Sequence, residues 1–144
     1  MCKPRRLPVD LETLLPQKRP MRMVDTLADV GQGWANLTAT VSEDMPFVAA
    51  GGRLDDAAFL EMMAQGIAAL NAFEGGDDPG TLHEGFLSGV RSLEFKKRGL
   101  VGDILRIHVK RYATLGEFSV VEAEITRGDE LLARGMVTVW AGET

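Results

Sequence analysis

One segment restricts what this chain can fold into more than any other. From Asp55 to Phe73, the residues Ala57, Ala58, Phe59, Leu60, Met62, Met63, Ala64, Ile67, Ala68, Leu70 and Phe73 cover nearly every face of a helix. A surface helix keeps one polar side for water, whereas this one has none, so it must be surrounded by protein. Its limits are marked: Asp55 or Asp56 can cap the start, and Gly75-Gly76 follows the end. The stretch from Gly75 to Thr81, containing Asp77-Asp78-Pro79-Gly80, reads as an exposed loop.

The flanking segments are β-like and supply what covers the helix. Val9 to Leu15 is expected to form one or two helical turns stopped by Pro16, and Met21 to Val30 suits a strand. After the Gly31-Gln32-Gly33 turn, Trp34, Asn36, Thr38 and Thr40 alternate with Ala35, Leu37, Ala39 and Val41, which completes a hairpin. From Gly85 onward four strands are expected, Phe86 to Phe95, Asp103 to Thr114, Glu117 to Arg127 and Glu130 to Trp140; their short turns imply antiparallel neighbours. Two strands, one buried helix and four strands give an α+β fold, a single antiparallel sheet curled around one long central helix. The 144 residues suit one domain, 1–144, with its core at about 9–141, and no internal repeat or linker is evident.

Charge and reactive side chains narrow the chemistry. With 16 basic against 21 acidic residues and a net charge of −5, general affinity for nucleic acid or an anionic membrane is not expected. The single cysteine, Cys2, excludes an internal disulfide, and with only His83 and His108 as histidines no metal site is expected. Lys3, Arg5 and Arg6 resemble the start of a signal peptide, but Pro4, Pro8, Asp10 and Glu12 interrupt the apolar stretch one needs, and no run of about 18 apolar residues follows. A soluble cytoplasmic protein with a reduced cysteine is the expectation.

Within the apolar helix, Glu61 and Gln65 stand four residues apart on one face. A buried ionised carboxylate is costly, so Glu61 must be hydrogen-bonded, protonated or open to a cavity. It is either a reactive carboxylate or a structural one held by Gln65 or by an arginine across an interface. Just before the helix, Ala49-Ala50-Gly51-Gly52-Arg53 brings small residues to a helix N-terminus, where free N–H groups can hold a carbonyl oxygen or oxyanion; a plain loop is the alternative. Neither a P-loop nor a Gly-x-Gly-x-x-Gly fingerprint is present. His108 shares a strand face with Ile104 and Arg106, which reads as solvent-facing, while His83 follows a loop from which it could reach a site mouth. Lys96-Lys97-Arg98 reads as a solvated turn, with an acidic protein partner as its functional alternative, and Met21, Met23, Met62 and Met63 read as core filler.

Three motifs carry a family resemblance. Leu14-Leu15-Pro16-Gln17-Lys18-Arg19-Pro20-Met21-Arg22-Met23-Val24-Asp25 resembles the Leu-Pro-His-Arg-x-Pro…Val-Asp opening of the hotdog-fold 3-hydroxyacyl-acyl-carrier-protein dehydratases. Glu61-Met62-Met63-Ala64-Gln65 resembles the Glu-Ala-x-Ala-Gln signature of that family's central helix. Phe86-Leu87-Ser88-Gly89-Val90 through Phe95, followed by Gly102-Asp103, is similar to the strand lining its acyl tunnel and the turn after it. Gly52-Arg53-Leu54 before the helix and Met63-Ala64-Gln65 within it resemble the short-loop dehydratases of aryl polyene pathways.

The resemblance implies a hotdog dimer with a joined sheet and sites at its interface, either a homodimer or a heterodimer with a second hotdog chain. It implies no bound cofactor and a substrate delivered on phosphopantetheine, as an acyl-carrier-protein or coenzyme A thioester. Glu61, Gln65 and Gln17 take the catalytic positions, and Gly51, Gly52, Arg53, Phe86 and Gly89 the substrate-binding ones. The family's catalytic histidine lies in a Gly-His-x-Pro-Gly loop; here Pro46 to Leu60 is shorter and contains no histidine, and Gln17 replaces the histidine of Leu-Pro-His. Glutamine cannot remove a proton next to a thioester. Three readings stay open: a dehydratase subunit whose histidine comes from another chain, a hotdog thioesterase in which Glu61 activates water or attacks the thioester, and a non-catalytic acyl- or carrier-binding protein.

Overall fold

A computed structural model of the chain describes residues 7–75 and 83–143, with side chains as far as residue 75 and from 87 to 140. The strands are β1 (Val9–Asp10), β2 (Thr26–Gly31), β3 (Trp34–Thr40), β4 (His83–Phe95), β5 (Ile104–Leu115), β6 (Phe118–Arg127) and β7 (Glu130–Glu143), with one long helix, α1 (Ala57–Gly75), between β3 and β4. All pairings are antiparallel, in the order β1-β2-β3-β5-β6-β7-β4, so the β3–α1–β4 connection crosses the sheet to its far edge. The expected hotdog arrangement of one antiparallel sheet around one helix is present, and the sheet does not close.

Alternation along the strands builds the core. Ala35, Leu37 and Ala39 of β3, Leu105, Ile107 and Val109 of β5, and Val121, Ala123 and Ile125 of β6 are buried facing α1, where they meet Phe59, Met62, Met63, Ile67 and Leu70. The helix packs tightly on the sheet at Gly66, where a Cβ would lie 3.2 Å from Leu37, 3.3 Å from Val109 and 3.4 Å from Ile107. α1 is not enclosed on every side, because Ala57 is exposed and Leu60, Glu61, Ala64 and Ala68 are half-buried, forming one less covered stripe. No helix among the described residues is long and apolar enough to cross a membrane.

The N-terminal segment differs from the sequence expectation. Val9 and Asp10 pair with Leu27 and Thr26 as a short strand, and only Leu11–Thr13 form a 3-10 turn, capped by Asp10 accepting from the Glu12 N–H at 2.9 Å. The strand expected from Met21 begins at Thr26, because the backbone of 21–24 bonds to a glutamine side chain of α1 instead of a neighbouring strand. Met21 is not core filler either, since 57% of it is exposed. The loop from Gly76 to Thr81 and Cys2 lie outside the described residues.

Two features bear on a site. The edge strand β4 pairs only with β7 and leaves Leu87, Val90 and Phe95 exposed. At the other side of the helix start, Arg127 donates to Asp103 Oδ2 at 2.7 Å, and this oxygen also accepts from the Leu100 N–H at 2.8 Å. The Val101 N–H then donates to the Gly52 carbonyl at 2.9 Å, so the network supports the glycine loop from behind. Lys97 and Arg127 both bond Glu130 and hold its carboxyl below the usual carboxylate range.

Candidate active site

Glu61 sits on the half-buried stripe of α1, one turn beyond the helix start. Its Oε1 accepts from Gln65 Nε2 at 3.1 Å, the pairing expected for residues four apart on a helix. Gln65 is 1% exposed and its amide is saturated: Nε2 also donates to the Met21 carbonyl at 2.8 Å, while Oε1 accepts from the N–H groups of Met23 at 2.8 Å and Val24 at 3.4 Å. With both ends satisfied the amide cannot flip, so it presents a fixed donor to the carboxylate. Gln65 thus bonds the Glu61 carboxylate and clamps segment 21–24 on the helix. Asp25 continues the clamp by accepting from the Thr40 N–H at 2.8 Å and pairing with Arg19.

Gln17 lies in the loop leading to this clamp, and its Oε1 is buried without a hydrogen-bond partner. Gly51 and Gly52 adopt φ of 88° and 78°, which a side chain rarely tolerates. Of their amides, Gly52 N–H is used within the loop, donating to the Ala49 carbonyl at 3.1 Å, whereas that of Gly51 makes no bond among the described residues. Asp55 Oδ1 accepts from the Ala57 N–H at 2.9 Å and occupies part of the helix N-terminus. Neither glycine hydrogen-bonds to Glu61. Arg53 is exposed and shares a small cleft with Asp55, Asp56 and Arg98. Phe47, just upstream, holds φ at 71° and is 46% exposed, a strained aromatic that composition did not reveal.

Gly89 pairs with Thr138 at a register shift in β4, and a side chain there would meet nothing within 4 Å. The backbone of Phe86 pairs with Trp140, while its side chain, like that of His83, lies outside the described ones. His108 faces away from α1, where its Nδ1 bonds Asn36 Oδ1 at 2.7 Å and its ring lies 6.1 Å from that of Trp34. It is therefore committed to the outer face, as its strand position implied. Sequence reasoning passed over Arg22, which is 6% exposed with an unpartnered Nε; a lone charge inside Met21-Arg22-Met23-Val24 was the available signal.

A helix wrapped by one antiparallel sheet, with a clamped glutamate on its open stripe, defines a hotdog protein. The family model described as ApeP-like, ApeP dehydratase, matches residues 9–143, and the chain belongs to that family. It is 31% identical over 137 residues to the 3-hydroxyacyl-[acyl-carrier-protein] dehydratase FabZ of Natranaerobius thermophilus, covering 90% of this chain and 92% of the relative. Among solved structures, the dehydratase heterocomplex ApeI:P from Xenorhabdus doucetiae superposes with a TM-score of 0.80 at 24% identity, covering 96% of this chain and 93% of that one. A hypothetical thioesterase with coenzyme A from Streptococcus pneumoniae TIGR4 superposes with a TM-score of 0.67 at 14% identity, covering 82% and 85%; both similarities describe the fold.

Proposed function

We propose that the chain is the carboxylate-bearing half of a two-chain 3-hydroxyacyl-acyl-carrier-protein dehydratase, acting on phosphopantetheine-linked thioesters in fatty acid or aryl polyene biosynthesis. The observation that carries this reading is Glu61, fixed by Gln65 on the open stripe of α1, beside a loop with no histidine. Elimination of water from a 3-hydroxyacyl thioester needs a base for the C2 proton and an acid for the departing hydroxyl. Glu61 supplies the acid, and the base is a histidine of a second hotdog chain paired along β4, whose exposed edge and apolar side chains favour such pairing. His108, bonded to Asn36 on the outer face, does not serve. The relative from Xenorhabdus doucetiae, itself a dehydratase heterocomplex, supports an assembly of this kind. Gly51, with its free amide, is the residue in the glycine loop best placed to hold the thioester oxygen.

The test is to incubate the purified chain with 3-hydroxyacyl and saturated acyl thioesters and measure alkene and free thiol. The expected result is neither product from the chain alone. Thiol release that disappears in Glu61→Gln would establish a thioesterase instead, and alkene formation by the isolated chain would remove the need for a second one.

A further inference from the structure

The turn that carries the free Gly51 amide is small. The Ala49 N–H donates to the Arg53 carbonyl at 2.8 Å and the Gly52 N–H to the Ala49 carbonyl at 3.1 Å, which puts Ala50 and Gly51 at the tip. Neither tip N–H makes a bond among the described residues. Gly51 and Gly52 both lie at positive φ, and glycine has so much backbone freedom that the direction of these amides must be imposed by neighbours. The neighbour is loop 99–103. The Leu54 N–H donates to the Gly99 carbonyl at 2.8 Å, Arg53 bridges to Leu100, and the Val101 N–H donates to the Gly52 carbonyl at 2.9 Å. Asp103 pins that loop in turn, its Oδ2 accepting from the Leu100 N–H at 2.8 Å and its carbonyl from the Val41 N–H at 2.9 Å. Arg127 closes the network from the end of β6, donating to Asp103 Oδ2 at 2.7 Å, to the Arg98 carbonyl at 3.3 Å and to Glu130 Oε1 at 3.2 Å. The Asp103 and Arg127 side chains are 18% and 27% exposed, and an ion pair that water reaches adds little to global stability. Three bonds from one rigid guanidinium do, however, fix a carboxylate in place.

We propose that Asp103 and Arg127 are positioning residues for the thioester site, acting through loop 99–103 and the Gly52 carbonyl to fix the direction of the Gly51 N–H. That this N–H receives a thioester oxygen rests on the function proposed above; the brace behind it does not. A donor aimed at a developing oxyanion works only if it is already in place, and a displacement of about 1 Å can cost about a hundredfold in rate. Both side chains act through backbone bonds, without contacting Gly51 themselves.

Hydrogen exchange and steady-state kinetics test this on the assembled pair, this chain with a histidine-bearing hotdog chain from the same genome. Arg127→Met should speed exchange at the Leu54 and Val101 amides by about fivefold or more, while the Met62 and Met63 amides of α1 exchange as in wild type. It should also lower kcat for alkene formation by about tenfold or more, with KM within about twofold of wild type. Arg127→Lys, which keeps a donor for Asp103, should recover part of both effects. Unchanged exchange at Leu54 and Val101, exchange that rises equally along α1, or a loosened brace with kcat unchanged would each overturn the proposal. A wild-type pair that forms no alkene, with exchange as expected, faults the dehydratase reading alone and upholds the brace.

Discussion

Gln65 does two jobs with one amide. It orients the Glu61 carboxylate and supplies the hydrogen bonds that segment 21–24 lacks for want of a strand neighbour. Replacing it by Met keeps the volume but leaves the Met23 N–H unpaired in a buried place and the Met21 carbonyl in a partly buried one, which should cost about 1–3 kcal/mol in chemical denaturation. A loss below about 0.5 kcal/mol would show that water or a shifted backbone replaces the clamp. The i,i+4 relation of Glu61 and Gln65 was legible in the sequence because both lie on one helix. The partners of Gln65 were not, since they stand more than forty residues upstream and meet it only through the tertiary fold. Arg22 was hidden for a similar reason: its burial depends on how residues 18–24 turn back on α1, which no local pattern encodes.

At the scale of elements, the helix is set by how closely it can approach the sheet. Gly66 faces Leu37, Ile107 and Val109 at distances where an added carbon must displace its neighbours. Gly66→Val should destabilise by about 2–3 kcal/mol through overpacking, measured by thermal or denaturant unfolding. Gly66→Ala should cost less, because a gain in helix propensity of about 1 kcal/mol offsets part of the crowding. A neutral Gly66→Val would mean that the helix stands further from β3 and β5 than described. The hairpin of β2 and β3 followed from the alternation after its glycine turn, the four later strands from β-like runs separated by short turns, and α1 from its apolar density and its flanking aspartates and glycines. The miss at Met21–Val24 arose because extended, apolar residues read as a strand whether their hydrogen bonds go to a strand or to a side chain.

For the whole molecule, the unpaired edge matters most. β4 runs for 13 residues at the end of the sheet, and Leu87 at 39%, Val90 at 46% and Phe95 at 41% exposure leave it open to pairing with another chain. The sequence revealed the strand but not its position, because the crossover through α1 carries it past three others, β5, β6 and β7, to the far side. It also showed a carboxylate, Glu61, within the apolar helix and a preceding loop with no histidine; on the proposed function the base comes from a second chain. The most direct test is alkene formation from a 3-hydroxyacyl-carrier-protein thioester by this chain co-expressed with a hotdog chain from the same genome that bears a histidine in the loop before its helix. The account predicts no alkene from either chain alone, alkene from the pair, and at least a hundredfold loss when Glu61→Gln is introduced in this chain only, the scale of a lost general acid, about 10²–10⁴. Alkene from this chain alone, or a pair that is indifferent to Glu61→Gln, would contradict it.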